Sequence, residues 1–157
     1  MPTDNGVLAN KWARFAIRPA PTTGALNPAW LDLANTASFE SAAETNTDTF
    51  DSIESDPVTF GGSTSRTITI SSAVRPGHPA FDFITASART GVAVEMRVRP
   101  DGARGRLGYT VLGTLTEGSH RIASGGGAQT YEGWRFLPSA DRVAEPAAGG
   151  QEVGTII

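Results

Sequence analysis

Alternation of apolar and polar residues with a period of two is the dominant pattern along this chain. It is clearest over residues 92–99, where the apolar positions are Val92, Val94, Met96 and Val98. Because successive side chains of a strand point to opposite faces, this segment predicts a half-buried β-strand. A Pro-Asp-Gly turn follows it, and the alternation resumes over residues 106–116, so the two segments predict a β-hairpin.

The same period of two occurs in four other segments, at residues 12–18, 31–41, 66–74 and 129–137. Each has β-branched or aromatic residues on one face and mostly polar residues on the other, which is typical of strands. About six strands are therefore predicted.

One segment departs from this period. Phe81, Ile84 and Ala88 recur at helical spacing after Pro79, and a glycine ends the segment. Proline is favoured in the first turn of a helix and glycine just after its last turn, so residues 79–90 are predicted to form a helix. Together these elements predict a mainly β fold, a β-sandwich or partly open barrel with one flanking α-helix.

The length of 157 residues fits one domain with its own core and is too short for two ordinary domains. We expect an N-terminal arm at residues 1–11, the β domain at residues 12–144 and a C-terminal arm at residues 145–157. The last arm has a Pro-Ala-Ala-Gly-Gly linker and an apolar end, a pattern that favours docking on another surface. The sequence has neither the pattern of a signal peptide nor an apolar run of membrane-spanning length, so we expect no membrane association.

Charge is distributed unevenly along the chain. The net charge is −3, which gives no basic excess for binding phosphate backbones. Residues 40–56 carry acids and no base, and they predict a long acidic loop, a polar hairpin excursion. Residues 89–106 have the opposite sign because arginines predominate there.

The sequence contains few residues of the kinds that carry chemistry. It has no cysteine, which excludes disulfides and thiolate metal sites, and its two histidines, His78 and His120, have no partner at ligand spacing. Its glycine-rich segments lack the spacing of phosphate-binding loops, and no nucleophile elbow is present. Asp48 and Asp51 lack the pattern of a calcium loop. We therefore expect no metal, no cofactor and no enzymatic activity.

The order of these segments carries a resemblance to a known family. A strand with Trp12 and Phe15 is followed by AWLDLANTASFE, the acidic excursion ETNTDTFDS and the hydroxyl-rich strand SRTITISS. The helix PAFDFITASARTG and the hairpin VAVEMRVRPDG with RLGYTVLGTLTEG come next. This succession, which covers most of the chain, resembles the major tail tube proteins of long non-contractile-tailed, siphovirus-like bacteriophages and of related particles such as gene transfer agents.

The resemblance implies a virion structural protein that assembles with itself. In that family, six copies form a ring in which the inner sheets join into one barrel, and stacked rings form the tube for genome delivery. The implied partners are further copies of the chain, a tape-measure protein, and the tail terminator and distal tail proteins, with DNA only in passage. The implied location is the virion tail, and the host cytoplasm during assembly.

Three strand faces are rich in hydroxyl groups and contain no Lys or Arg, which suits a channel that passes a polyanion without binding it. The residues predicted to face the lumen are Thr36, Ser38, Glu40, Thr67, Thr69, Ser71, Thr110, Thr114 and Thr116.

Contacts between subunits are predicted for the acidic loop, the arginine-rich segment and the apolar C-terminal residues. The candidates are Glu44, Asp48, Asp51, Glu54, Asp56, Arg89, Arg97, Arg99, Arg104, Arg106, Val153, Ile156 and Ile157. Two segments of opposite sign on one chain permit head-to-tail contacts that repeat.

Two other functions remain open from the sequence. A capsid-decoration or head–tail completion protein would share the small size and the β content. A carbohydrate-binding module would use the tryptophans Trp12, Trp30 and Trp134 as a platform, although tryptophans in a small β domain more often belong to a core or an interface.

Overall fold

The computed structural model describes residues 3–4, 7–8, 13–33, 36–50, 58–100 and 108–144. Within these ranges the chain forms strands and one helix, α1 (Pro79–Thr90). The strands are β1 (Thr3–Asp4), β2 (Val7–Leu8), β3 (Arg14–Pro19), β4 (Leu31–Asp32), β5 (Thr36–Phe50), β6 (Val58–Ala73), β7 (Ala93–Arg99), β8 (Tyr109–Thr116), β9 (Ser119–Arg121), β10 (Thr130–Pro138) and β11 (Val143–Ala144).

Nine of these strands form a single antiparallel sheet. Its order is β4-β3-β7-β8-β10-β6-β5, with β11 added to β8 and β9 added to β10. The remaining two strands, β1 and β2, pair with each other. The prediction of a mainly β fold with one flanking helix is confirmed, and nine of the described strands lie in one sheet that does not close.

Most of the predicted strands form where the alternation places them. The predicted hairpin is the β7–β8 pair, in register from Ala93 opposite Thr114 to Val98 opposite Tyr109. The segment 31–41 differs from its prediction as one strand, because β4 ends at Asp32 and β5 begins at Thr36. The first part of the acidic segment is also strand, since β5 continues to Phe50 along β6.

The core lies between α1 and one face of the sheet. On β7 the residues Val94, Met96 and Val98 are 3% exposed or less, as the alternation predicts. Tyr109, Val111 and Leu115 of β8 continue this face. Burying an aliphatic or aromatic side chain of this size stabilises the fold by about 1.5–3 kcal/mol, so this face provides most of the driving force for folding.

Helix α1 begins and ends where its sequence signals indicate. A proline occupies the first turn, Asp82 lies in the same turn, and Gly91 adopts the left-handed conformation at φ 69° after the last turn. The Gly91 N–H donates to the Ser87 carbonyl at 2.8 Å, which satisfies one carbonyl of the helix end. Ala80, Phe81 and Ile84 face the sheet and are buried.

A bulge in β10 turns two aromatic rings toward the helix. The register between β10 and β6 shifts between Tyr131 and Trp134, and Gly133 takes a positive φ of 75° there. Without this extra residue the two side chains would point to opposite faces of the sheet. Instead their rings stack with centroids 4.4 Å apart, and the Trp134 ring meets Phe81 of α1 edge-on at 5.6 Å.

The sheet curls so that strands near its two ends approach each other. Phe15 of β3 and Phe39 of β5 stack with ring centroids 4.5 Å apart and planes 20° from parallel. These strands are the second and the last in the sheet order. The two rings therefore bring strands near the two ends of the sheet together over the core, although β4 and β5 do not pair in the described structure.

Candidate assembly interface

The face of the sheet opposite α1 is called the open face here. It carries the hydroxyl-rich strand faces that the sequence predicts to line a channel. One row crosses four strands, because Thr116 pairs with Arg135, Arg135 with Thr69, and Thr69 with Glu40. Since directly opposed residues of neighbouring strands share a face, these four side chains form a continuous polar row.

Further predicted lumen residues extend this surface. Ser71 pairs with Ser38 across β6 and β5, while Thr114 pairs with Leu137 across β8 and β10. Thr67 and Thr110 occupy open-face positions of β6 and β8, two residues apart in sequence from other members of the face. Thr36 lies opposite Ser72, a buried position of β6, because the register of β5 shifts between Thr36 and Ser38, so the open-face row of β5 begins at Ser38. The described sheet thus brings three separate hydroxyl-rich segments onto one surface.

The open face differs from the prediction in its charge. The three quoted strand faces contain no Lys or Arg, but β10 lies between β8 and β6 and places exposed Arg135 among the threonines. The alternation within a strand does not specify which strand becomes its neighbour, so the sequence could not reveal this insertion. Arg135 and Glu40 occupy the same row, so its formal charge sums to zero.

The open face also carries apolar side chains. Leu112 is 36% exposed, Leu137 is 42% exposed and Val143 is 63% exposed. Val143 pairs with Thr110 and Leu137 pairs with Thr114, the two positions on either side of Leu112 on this face of β8. The three side chains therefore form one exposed apolar patch.

A tryptophan covers one corner of the open face. The Trp30 ring lies against the guanidinium groups of Arg18 and Arg97, at 4.1 Å and 4.7 Å from the ring centroid. Arg18 also donates to the Glu95 carboxylate at 2.8 Å, with both side chains less than 15% exposed. Arg97 faces Asp32 at 3.8 Å. These contacts hold Arg97 within its own subunit.

The other predicted arginines are placed differently. Exposed Arg89 lies in the last turn of α1, 3.7 Å from Glu117. Arg99 is half-buried on the open face, opposite Arg14 of β3. The side chains of Arg97 and Arg99 share one face of β7, as predicted. The structure therefore presents the arginine-rich segment as part of a network inside the subunit, in addition to its predicted role between subunits.

The predicted acidic partner lies on a long hairpin. β5 and β6 pair from Thr36 opposite Ser72 to Phe50 opposite Val58. Pairing of β6 with β10 covers only positions Ile68–Ala73 of this length in the described sheet. The outer part of the hairpin, which includes exposed Glu44 and the backbone of Asp48, therefore extends beyond the strands beside it.

Some predicted contact residues lie outside the described part of the chain. They are Asp51, Glu54, Asp56, Arg104, Arg106, Val153, Ile156 and Ile157. The N-terminal and C-terminal arms fall largely outside it as well, apart from the β1–β2 pair.

A cleft beside the hairpin was not predicted. It has a volume of about 880 Å³ and lies between Thr64–Thr67 of β6 and the segment Leu137–Arg142. It opens because β10 ends at Pro138, opposite Gly113, while β11 resumes on β8 with Val143 opposite Thr110. The intervening residues leave β6 without a strand neighbour on this side before Ile68 in the described sheet.

Two arginines and a buried tyrosine meet at this cleft. Arg66 donates to the Ser41 hydroxyl at 2.8 Å, and the Arg142 guanidinium lies 5.3 Å from the centre of the Tyr109 ring. Burial raises the pKa of Tyr109, while Arg142, a hydrogen bond with Ser41, and Arg66 act in the opposite direction. The sequence held one signal, since Arg66 occupies the apolar face of its strand with Ile68 and Ile70.

The side chains with other possible chemistry have structural contacts. Trp134 is fully buried, and the half-buried Trp30 ring lies against the guanidinium groups of Arg18 and Arg97. Trp12 lies outside the described residues. His120 bonds with the Gln129 amide oxygen at 2.8 Å, and the His78 carbonyl accepts the Asp82 N–H. Within the described ranges there is neither a metal-binding group of side chains nor a helix long and apolar enough to span a membrane.

No protein-family model matches the chain, and no curated protein sequence matches it significantly.

Proposed function

We propose that this chain is the structural subunit of a bacteriophage-type tail tube, in which hexameric rings stack into a conduit for DNA. The observation that carries the proposal is the β5–β6 hairpin, which runs as a two-stranded ribbon well beyond the strands that support its base. A two-stranded ribbon is marginally stable in water without further partners. Contact with neighbouring copies would supply them.

The outer edges of the sheet support the same proposal. β5 ends the sheet order on one side, and the other side ends in β4, which covers only two residues of β3 in the described structure. Unpaired strand edges form hydrogen bonds readily with other chains, and closure into a ring removes them. A ring whose sheets join edge to edge would satisfy both edges with contacts of one kind.

The open face has the properties required of a channel wall. Its hydroxyl-rich rows present many weakly interacting groups, and the charges of Arg135 and Glu40 in the central row cancel formally. These rows offer a polyanion little net attraction, because retention on DNA depends on excess positive charge, whereas Arg14 of β3 and Arg99 of β7 lie near the other end of the same face. We infer that this face lines the conduit, and that DNA passes it without specific binding.

Electron microscopy of the purified protein in negative stain tests the proposal. The expected result is hollow tubes built from stacked rings, which lengthen as protein concentration rises. A capsid-decoration or head–tail completion protein would instead remain a monomer or stop at a single ring. Rings that never stack, or monomers at every concentration examined, would contradict a tail tube subunit.

A further inference from the structure

The cleft between Thr64–Thr67 and Leu137–Arg142 is large enough to bind a peptide segment, and nothing above says which segment it binds. Its two arginines, Arg66 and Arg142, outnumber its one carboxylate, Asp141, so its lining has a net positive charge. Hydroxyl groups of β6 and the Ser139 side chain complete the lining. Guanidinium groups surrounded by hydroxyl donors are suited to binding a carboxylate.

An acidic segment of this chain has the complementary charge. Residues 40–56 contain acids and no base, and residues 40–50 of this segment lie on β5. Of the arginines in residues 89–106, Arg97 contacts Trp30 and Asp32, and Arg89 lies 3.7 Å from Glu117.

The hairpin cannot bring its own outer end into its own cleft. Arg66 pairs with Ala43 at the cleft, while the last described pair is Phe50 with Val58. At a rise of about 3.3 Å per residue, continuous pairing carries Phe50 roughly 20 Å away from Ala43 along the ribbon. The acidic outer end of the hairpin can therefore reach this cleft only on a second copy of the chain.

We propose that the Arg66–Arg142 cleft of one subunit binds the acidic β5 end of the hairpin, around Asp48, of a second copy. The two contacting surfaces differ, so the contact is head-to-tail and repeats from copy to copy. It rests on the proposed function, since it describes one contact by which assembled subunits would be joined.

Engineered cysteines test this contact directly, because the chain contains no cysteine of its own. One preparation carries Thr49→Cys, which leaves every acid in place, and a second carries Ser139→Cys in the cleft. The two are mixed and oxidised, and the disulfide-linked dimer is measured on a non-reducing gel. The matched control replaces Ser139→Cys with Ser119→Cys, another exposed serine, which pairs with Glu132 about 20 Å along β10 from Pro138.

We expect at least about fivefold more dimer with the cleft cysteine than with the control, a ratio that an interaction near the upper limit for exposed ion pairs would give. Adding Arg142→Glu to the cleft variant should remove this excess, whereas Arg75→Glu, an exposed arginine outside the cleft, should leave it unchanged. Arg66→Gln provides a second cleft variant, with thermal unfolding measured for each protein. Equal yields at the two cysteines, or an excess that survives Arg142→Glu, would overturn the proposal.

Failure of this contact and failure of the proposed function give different results. Tubes in the microscope with equal cross-linking at both positions would leave the tail tube function in place and reject the cleft contact. Selective cross-linking without tubes would retain the contact and reject the function.

Discussion

The charged side chains of this protein differ widely in solvent exposure. The Arg18–Glu95 pair is nearly buried, with side chains 13% and 12% exposed, and the Arg18 guanidinium also donates to the Pro28 carbonyl. The Arg89–Glu117 pair has side chains 73% and 56% exposed and a separation of 3.7 Å. Loss of one member of a buried pair leaves the other charge poorly solvated, whereas loss of an exposed pair costs little.

We predict that Glu95→Gln lowers the free energy of unfolding by about 2 kcal/mol, because Arg18 loses a charged partner away from water. The matched variant Glu117→Gln should change it by no more than about 0.5 kcal/mol. Urea unfolding of the two variants and the parent protein measures both values. Equal losses from the two substitutions would contradict the different roles assigned to the pairs.

The burial of Tyr109 leads us to predict how the free energy of unfolding changes at alkaline pH. Its pKa is raised by burial above the ordinary value near 10, so the folded state holds the phenolic proton more tightly than the unfolded state does. The stability that this provides is present below pH 10 and is lost as the pH rises through the raised pKa. The free energy of unfolding should therefore fall more steeply above pH 10 in the parent protein than in Tyr109→Phe.

Urea unfolding of both proteins between pH 8 and pH 11 measures this difference, since Phe removes the ionising group and keeps most of the ring packing. Parallel curves over that interval would show that Tyr109 does not titrate differently in the two states. A parent protein that gains stability relative to Tyr109→Phe above pH 10 would show a pKa shift of the opposite sign.

Among the helices and strands, the sequence predicted the features that depend on the periodic spacing of apolar residues within one segment. Helix α1 has its predicted bounds because proline, glycine and helical spacing act within twelve residues. The faces of β7 and β8 follow from strict alternation. The bulge at Gly133 could not be predicted from the sequence, because it depends on how β10 pairs with β6. The change of partner from β3, which pairs with β4, to β6, which pairs with β5, likewise depends on strand order.

The same distinction explains the candidate interface. Hydroxyl-rich faces could be predicted within each strand, and the described structure places them on one surface. The insertion of Arg135 and the cleft between β6 and β11 depend on strand order, which no single segment encodes. The position of Arg66 is a signal that the sequence does contain. A charged residue in line with the core residues of a strand indicates that the buried part of that face ends there.

Shortening the hairpin is predicted to separate folding from assembly. Thr45 pairs with Thr64, so replacing residues 46–63 by Asn-Gly should close a two-residue turn without touching the pairing of β6 with β10. The shortened protein should unfold cooperatively, because the core contacts remain, and it should fail to assemble. Circular dichroism during heating and sedimentation velocity measure the two properties.

The control for this variant shortens a different exposed loop. Residues 124–127 lie between β9 and β10, and Asn-Gly in their place should leave both folding and assembly unchanged. Normal assembly of the protein with the shortened hairpin would show that the hairpin is not needed between subunits.

Three surfaces of the whole subunit take part in the proposed assembly. Two sheet edges remain unpaired in the described structure, one hairpin extends past the sheet, and one positively charged cleft lies at the base of that hairpin. Edge-to-edge contacts would join copies around a ring, and the hairpin–cleft contact would provide a second, directional link. Several weak contacts repeated in a closed assembly hold together more strongly than any one of them.

Cryo-electron microscopy of the assembled protein shows whether the chain forms a tube and which face lines its channel. We expect a hollow tube of stacked six-membered rings, with the open face and its Thr116–Arg135–Thr69–Glu40 row toward the channel and α1 on the outside. A tube with α1 toward the channel would contradict the assignment of the open face. A protein that stays monomeric at concentrations where tail tubes form would contradict the claim that this chain is a tube subunit.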